Sequence, residues 1–169
     1  MAFAEIDDFF DNAPPDLLGG RCFVAMPYTD LHLKVYEEIE SALREDGLKC
    51  SLAKQAVHGG PIMTDVLEGL ARAGLVIVDL TGNNPNVLYE LGLAHARRYS
   101  YSILLITQDV KTLPFDLKHL RCVEYTPDPE SYRVLREHLR YAVSEKILAS
   151  RYFYRWLENP EGKLSDPYP

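Results

Sequence analysis

From Arg21 onward, apolar and polar positions alternate in blocks whose periods switch between strand-like and helix-like. "RCFVAM" is a short apolar run closed by Pro27 and predicts a strand. In "DLHLKVYEEIESALRED", Leu31, Val35, Ile39 and Leu43 recur four apart, which predicts one stripe of an amphipathic helix that Gly47 ends. "LKCSLA" reads as a second strand and "VHGGP" as a turn, with Pro61 suited to the first position of a helix. Ile62, Val66, Leu67, Leu70 and Ala73 form the next apolar stripe. "GLVIVDL" is apolar without interruption, the pattern of a strand buried on both faces of a parallel sheet. "LTGNNPNVLYELGLAHARR" predicts a third helix, "YSILLIT" a fourth strand and "RCVEY" a fifth. A closing helix from about Pro129 carries Tyr132, Leu135, Leu139, Val143 and Ile147. Strand and helix in alternation, joined by short connections, mean βαβ units, a parallel sheet and right-handed crossovers.

This rhythm divides the chain into three parts. Residues 1–20, with the linker-like "APPDLLGG", form an N-terminal appendage; residues 21–148 form the α/β domain; residues 149–169, with "RYFYRWL", form an aromatic C-terminal tail. A chain of 169 residues is long enough to bury a core, and 47% hydrophobic with 25% charged residues is the balance of a folded globular protein. The net charge of -7 leaves no basic face for duplex nucleic acid, while small anionic ligands remain open to helix N-termini. Cys22, Cys50 and Cys122 are odd in number, lack CxxC spacing and sit in or beside apolar runs, so buried reduced thiols are expected. The acidic start "MAFAEIDDFFDN" has no basic n-region, and no apolar run approaches the ~18 residues of a membrane span. A cytoplasmic protein without membrane association is the expectation. His58 and His95 lack a second ligand at metal spacing, and no metal site is expected.

In parallel sheets ligands bind outside the carboxyl ends of the strands. That places the candidate site at three loops: Met26-Pro27-Tyr28, the His58-Gly59-Gly60 turn, and Asp79 through Asn86. The third loop is polar throughout, with Asp79, Thr81, Gly82, Asn83, Asn84 and Asn86. Asn84 before Pro85 is a natural helix cap, and the remaining amides are either turn formers or partners for ribose hydroxyls and a base edge. Asp79 is either a turn-forming residue or an acid, and Tyr28 either stacks on a base or covers a loop. Glu90 stands alone. At ~100° per residue Val87, Leu88, Leu91 and Ala94 face the sheet and Glu90 lies at the edge of that face. Its helical neighbours Asn86, Val87, Leu93 and Ala94 carry no positive charge, so no local ion pair answers its carboxylate. It is either a partly solvated flank residue or a carboxylate held in a cleft, able to attack or to stabilise a cation. Tyr89, Leu93 and Ala96 lie on the opposite side of the helix, which either a second subunit or the chain's own "RYFYRWL" segment would cover.

"CFVAMPY", "GLVIVDLTGNNPNVLYELGLAHA" and "PFDL" together resemble the nucleoside 2-deoxyribosyltransferase-like group of the TIR-like Rossmannoid superfamily, over about residues 21 to 145. The resemblance implies an α/β, three-layer flavodoxin-like (TIR-like) fold with a parallel five-stranded sheet and a site at the strand ends. In the transferases a Glu in an "ELG.A" helix attacks the anomeric carbon, and that position falls on Glu90. The transferases also carry an Asp just before the third strand, where this chain reads "ARAG" (Ala71 to Gly74), and another six residues before the nucleophile, where it has Asn84. The implied function is N-glycosidic cleavage or transfer on a nucleoside, nucleotide or NAD, with Glu90 at the ribose C1′ and Asp79 as a second catalytic group. Met26, Pro27, Tyr28, Gly59, Gly60, Thr81, Gly82, Asn83, Asn84 and Asn86 would contact the substrate. NAD would be a substrate and not a redox cofactor, and no cofactor is expected. The alternative is a non-catalytic nucleotide-sensing TIR-like signalling module of the kind used in bacterial antiphage defence. Either way a homodimer or larger homo-oligomer is expected.

Overall fold

The protein is described from a computed structural model, which covers residues 20–52, 62–97 and 103–158, with side chains described for 20–52, 64–96 and 103–144. The expected appendage and the His58-Gly59-Gly60 turn lie outside the described residues.

Five strands form one parallel sheet: β1 (Arg21–Ala25), β2 (Lys49–Leu52), β3 (Leu75–Asp79), β4 (Ile103–Thr107) and β5 (Cys122–Glu124). Four helices alternate with them: α1 (Asp30–Glu45), α2 (Ile62–Arg72), α3 (Pro85–Arg97) and α4 (Pro129–Glu158). The spatial order is β2-β1-β3-β4-β5. This is the flavodoxin-like order, and the fold is the three-layer α/β arrangement expected from the sequence. Among the described residues no helix is long and apolar enough to cross a membrane.

The strand pleat sorts the core into two halves. Cys22 and Val24 of β1 and Leu75 and Ile77 of β3 point to one face, where Val35, Ile39 and Leu43 of α1 meet Leu135, Leu139 and Val143 of α4. Phe23, Ala25, Val76 and Val78 point to the other face, against Val66 and Leu70 of α2 and Val87, Leu91 and Ala94 of α3. Helix α2 comes close to β1 at Gly69, where an added Cβ would lie 2.4 Å from the Phe23 ring. A side chain at position 69 would hold α2 off the sheet. Cys22 and Cys50 are buried opposite each other on β1 and β2, Cys122 is half-buried, and all three are free thiols. Three surface ion pairs, Arg136–Glu38, Arg140–Glu45 and Arg140–Asp46, tie α1 to α4.

Two sequence expectations shift. The buried stripe of α1 is His32, Val35, Ile39, Ala42 and Leu43, while Leu31 is exposed. Positions four apart drift around a helix of 3.6 residues per turn, and the twelve residues from Leu31 to Leu43 accumulate about 120°. His32 therefore takes the inward place at the start of the helix. At the other end α4 runs on to Glu158, so the aromatic segment 151–157 is a continuation of that helix. No Gly or Pro interrupts residues 130–158, so nothing local breaks the helix over that span.

Candidate functional site

Connections leave β1 and β3, which are neighbours, in opposite directions: β1 leads through α1 to β2, and β3 leads through α3 to β4. The carboxyl ends of β1 and β3 therefore frame the switch-point crevice of the sheet. One wall is Met26-Pro27-Tyr28 and the cap of α1; the other is Asp79 and the loop into α3. Met26 and Pro27 are buried, whereas Tyr28 is 50% exposed.

Asp79 is 0% exposed, and both of its carboxylate oxygens are occupied. Oδ1 accepts from the Thr81 backbone N–H at 3.0 Å and from the Thr81 hydroxyl at 2.6 Å. Oδ2 accepts from the Tyr125 hydroxyl at 2.6 Å. The Gln108 side-chain amide donates to the Tyr125 oxygen at 3.2 Å, and the Gln108 backbone N–H donates to the Thr81 hydroxyl at 3.0 Å. The chain of bonds closes on itself, Asp79 to Tyr125 to Gln108 to Thr81 and back, across the ends of β3, β4 and β5. Burial and then the adjacent Asp79 carboxylate raise the Tyr125 hydroxyl well above its ordinary value, so it stays protonated and donates. A buried carboxylate with three donors is compensated through hydrogen bonds. Asp79 is thus a buried hub with both oxygens hydrogen-bonded, Oδ1 to two donors and Oδ2 to one.

The loop that follows is built by the same logic. Gly82 (φ 70°) and Asn83 (φ 52°) both take left-handed conformations, which reverse the chain into α3. The Asn83 amide donates to the Thr112 carbonyl at 2.8 Å, joining this loop to the one after β4, while its buried Oδ1 has no partner. Asn84 Oδ1 accepts from the Asn86 N–H at 2.9 Å and, at 3.5 Å, from that of Val87, the expected cap. Thr81, Asn83 and Asn84 thus spend side-chain hydrogen bonds on the fold, whereas the Asn86 side chain is exposed.

Helix α3 packs on β3 and β1, the strands that frame the crevice. Val87, Leu91 and Ala94 face inward, Leu88 is half-buried and Tyr89 is 55% exposed. Glu90 sits at the margin, half-buried. Burial pushes its carboxyl up to about 7, through desolvation, and among the described residues no cation lies against it. At neutral pH this group is divided between its protonated and ionised forms, unlike an ordinary surface glutamate.

The sequence reading did not single out His32, Gln108 or Tyr125. His32 is 8% exposed and lies at the start of α1 between the two walls. Its Nδ1 is 2.7 Å from the Thr29 hydroxyl, and its Nε2, which has no hydrogen-bond partner, is 4.0 Å from Asp79 Oδ2. The available signal was a lone imidazole one position from an apolar stripe; Gln108 and Tyr125 carried none. Among the described residues no three His, Cys, Asp or Glu side chains cluster as metal ligands would.

No known family matches this chain in its sequence profile, and no characterised protein sequence matches it. Among solved structures it is similar to the E. coli constitutive lysine decarboxylase, with a TM-score of 0.51 and 12% sequence identity. The match covers 88% of this chain and 21% of that one, so the chain spans about a fifth of that protein's length. Identity at this level speaks to the fold alone.

Proposed function

We propose that the chain cleaves or transfers the N-glycosidic bond of a nucleoside, nucleotide or NAD, with Glu90 as the nucleophile at the ribose C1′. The observation that carries this reading is the state of Glu90: a half-buried carboxyl, pushed up to about 7, without a cationic partner among the described residues, on the helix packed against the two strands of the switch point. A carboxylate kept from water and from ion pairs is poised to meet the positive charge that develops at C1′ as the base departs. The first displacement forms an ester between Glu90 Oε and C1′ and breaks the bond to the base nitrogen; the departing base takes a proton from solvent, and none is needed where the nitrogen is quaternary, as in NAD. Water or a second base then attacks C1′ and releases Glu90, so the configuration is retained. Tyr28, half-exposed on the opposite wall, supplies an aromatic face for the base. Asn86 offers its free amide to the sugar. Asp79 takes a different role from the one expected of a second acid, holding the β3 loop in place through Thr81 and Tyr125.

The test is incubation with a panel of nucleosides, nucleotides and NAD, followed by chromatography of released base, for the protein and for Glu90→Ala. Release that is abolished by the substitution supports the assignment; release that survives it unchanged refutes the role of Glu90. Because the attacking form is the carboxylate, the rate should rise with pH through about 7.

The sequestration of Asp79 and the capping role of Asn84 favour a second reading, a nucleotide-binding signalling module without turnover. It predicts a thermal shift with a nucleotide, ~2.7 kcal/mol at a hundredfold excess over Kd, and no product after prolonged incubation. In either reading Tyr89, exposed on α3, and Leu93, half-buried against the edge of the core rather than wholly outward as expected, belong to a contact between two copies of the chain.

A further inference from the structure

The described residues hold one buried polar atom pair that faces across the crevice without bonding. His32 is tied on its Nδ1 side to Thr29, the cap of α1 and the end of the β1 wall. On its Nε2 side it faces Asp79 at the end of β3, at 4.0 Å, beyond hydrogen-bond range. The side chain therefore bridges the two walls of the switch point, with one link made and one open. Both residues are buried, and no other acid lies within ion-pair distance of the imidazole among the described residues.

We infer that His32 is a proton-operated latch between the walls: on taking up a proton it closes its Nε2–H onto Asp79 Oδ2 and draws the Tyr28 wall toward the end of β3. The latch takes the neutral ring with its single hydrogen on Nε2, so that across the 2.7 Å contact the Thr29 hydroxyl donates to Nδ1. Acidification adds a proton from solvent at Nδ1. The Thr29 hydroxyl then turns and accepts from Nδ1–H, and the ring carries a positive charge beside the Asp79 carboxylate.

The groups that face the ring decide the direction. From β3 there is Asp79, and beyond β5 there is Tyr125, already donating to the same oxygen and held protonated. That oxygen has room for a second donor. From its own helix there is Asp30 in the first turn. Asp79 is the counter-charge that closure brings within hydrogen-bond reach of the His32 Nε2–H.

This inference concerns the walls of the crevice proposed above as the substrate site, and it does not require anything to be cleaved there. Nitrogen and carbon NMR on the full chain tests it directly, from about pH 8.5 to about 5.5. The expected outcome is an Nε2–H tautomer at the alkaline end, followed by protonation of Nδ1 with the Asp79 carboxyl carbon shifting at the same midpoint. Amide exchange of the Thr29–His32 segment, corrected for intrinsic rates, should slow about tenfold across that midpoint. An Nδ1–H tautomer at the alkaline end, an Asp79 signal that does not move as His32 titrates, or unchanged amide exchange would overturn the latch. Base release governed by Glu90 is read separately, so failure of one leaves the other standing.

Discussion

Replacing Glu90 by Gln should stabilise the protein at pH 8 and do much less at pH 5. In the unfolded chain the carboxyl titrates near 4.5; in the folded protein burial moves it up to about 7. Below 4.5 both states hold the proton and the group contributes nothing. Between 4.5 and about 7 the unfolded chain has lost its proton while the folded one keeps it, so folding becomes progressively less favourable as pH rises. Above about 7 both states are ionised and the full penalty of holding a charge away from water applies. A shift of this size would correspond to roughly 3 kcal/mol for a group removed wholly from water. Glu90 is only half-buried, and screening reduces the expected penalty to about 1–2 kcal/mol. Gln preserves shape and breaks no hydrogen bond or ion pair, since Glu90 makes none among the described residues. The cost of burying its amide is independent of pH and cancels in the comparison. Urea unfolding at the two pH values measures the difference: with a slope of ~2 kcal/mol per M, the midpoint of Glu90→Gln should move up by about 0.5–1 M more at pH 8 than at pH 5. A shift of equal size at both pH values, or a larger one at pH 5, would show that Glu90 is not a desolvated carboxyl.

Tyr125→Phe removes one of three donors from the buried Asp79 carboxylate and should cost about 2–3 kcal/mol in urea unfolding; a loss below ~0.5 kcal/mol would mean the ring of bonds contributes little. Gly69→Ala drives a methyl group into the Phe23 ring and should cost about 2 kcal/mol, with partial rescue by Phe23→Leu; additive losses would place the strain elsewhere. Sedimentation at micromolar concentration should show a dimer or larger assembly that Leu93→Arg dissociates, whereas a monomeric wild-type chain would refute the α3 interface.

Much of the architecture is legible from local pattern because local physics sets it. The uninterrupted apolar run of β3 predicts burial on both faces, and every residue of Leu75–Asp79 is buried. The inward face of α3 follows from angular spacing alone, with Val87, Leu91 and Ala94 buried and Glu90 at the margin. Asn84 before Pro85 announces the cap that it forms. The hydrogen-bonded ring is a different matter. Tyr125 reaches Asp79 across 46 residues of chain and Gln108 reaches Thr81 across 27, and no spacing rule connects such positions before the strand order is known. Asp79 therefore reads in the sequence as either a turn former or a strand-end acid and proves to be a hub in the fold. His32 is hidden by the four-residue stripe, which assigns the inward place to Leu31 when the true helical period gives it to the imidazole. The chemistry at the crevice thus depends most on side chains brought together by the sheet, which a one-dimensional pattern does not display.

The most direct test of the central claim is to look for the covalent intermediate. The protein is incubated with each member of the nucleoside, nucleotide and NAD panel, quenched in acid to preserve the ester, and digested for peptide mass mapping. The account predicts a glycosyl mass increment on the peptide containing Glu90, absent from Glu90→Gln, with a substrate that also yields free base. Base release with the increment on another residue, or base release that continues undiminished in Glu90→Gln, would contradict it.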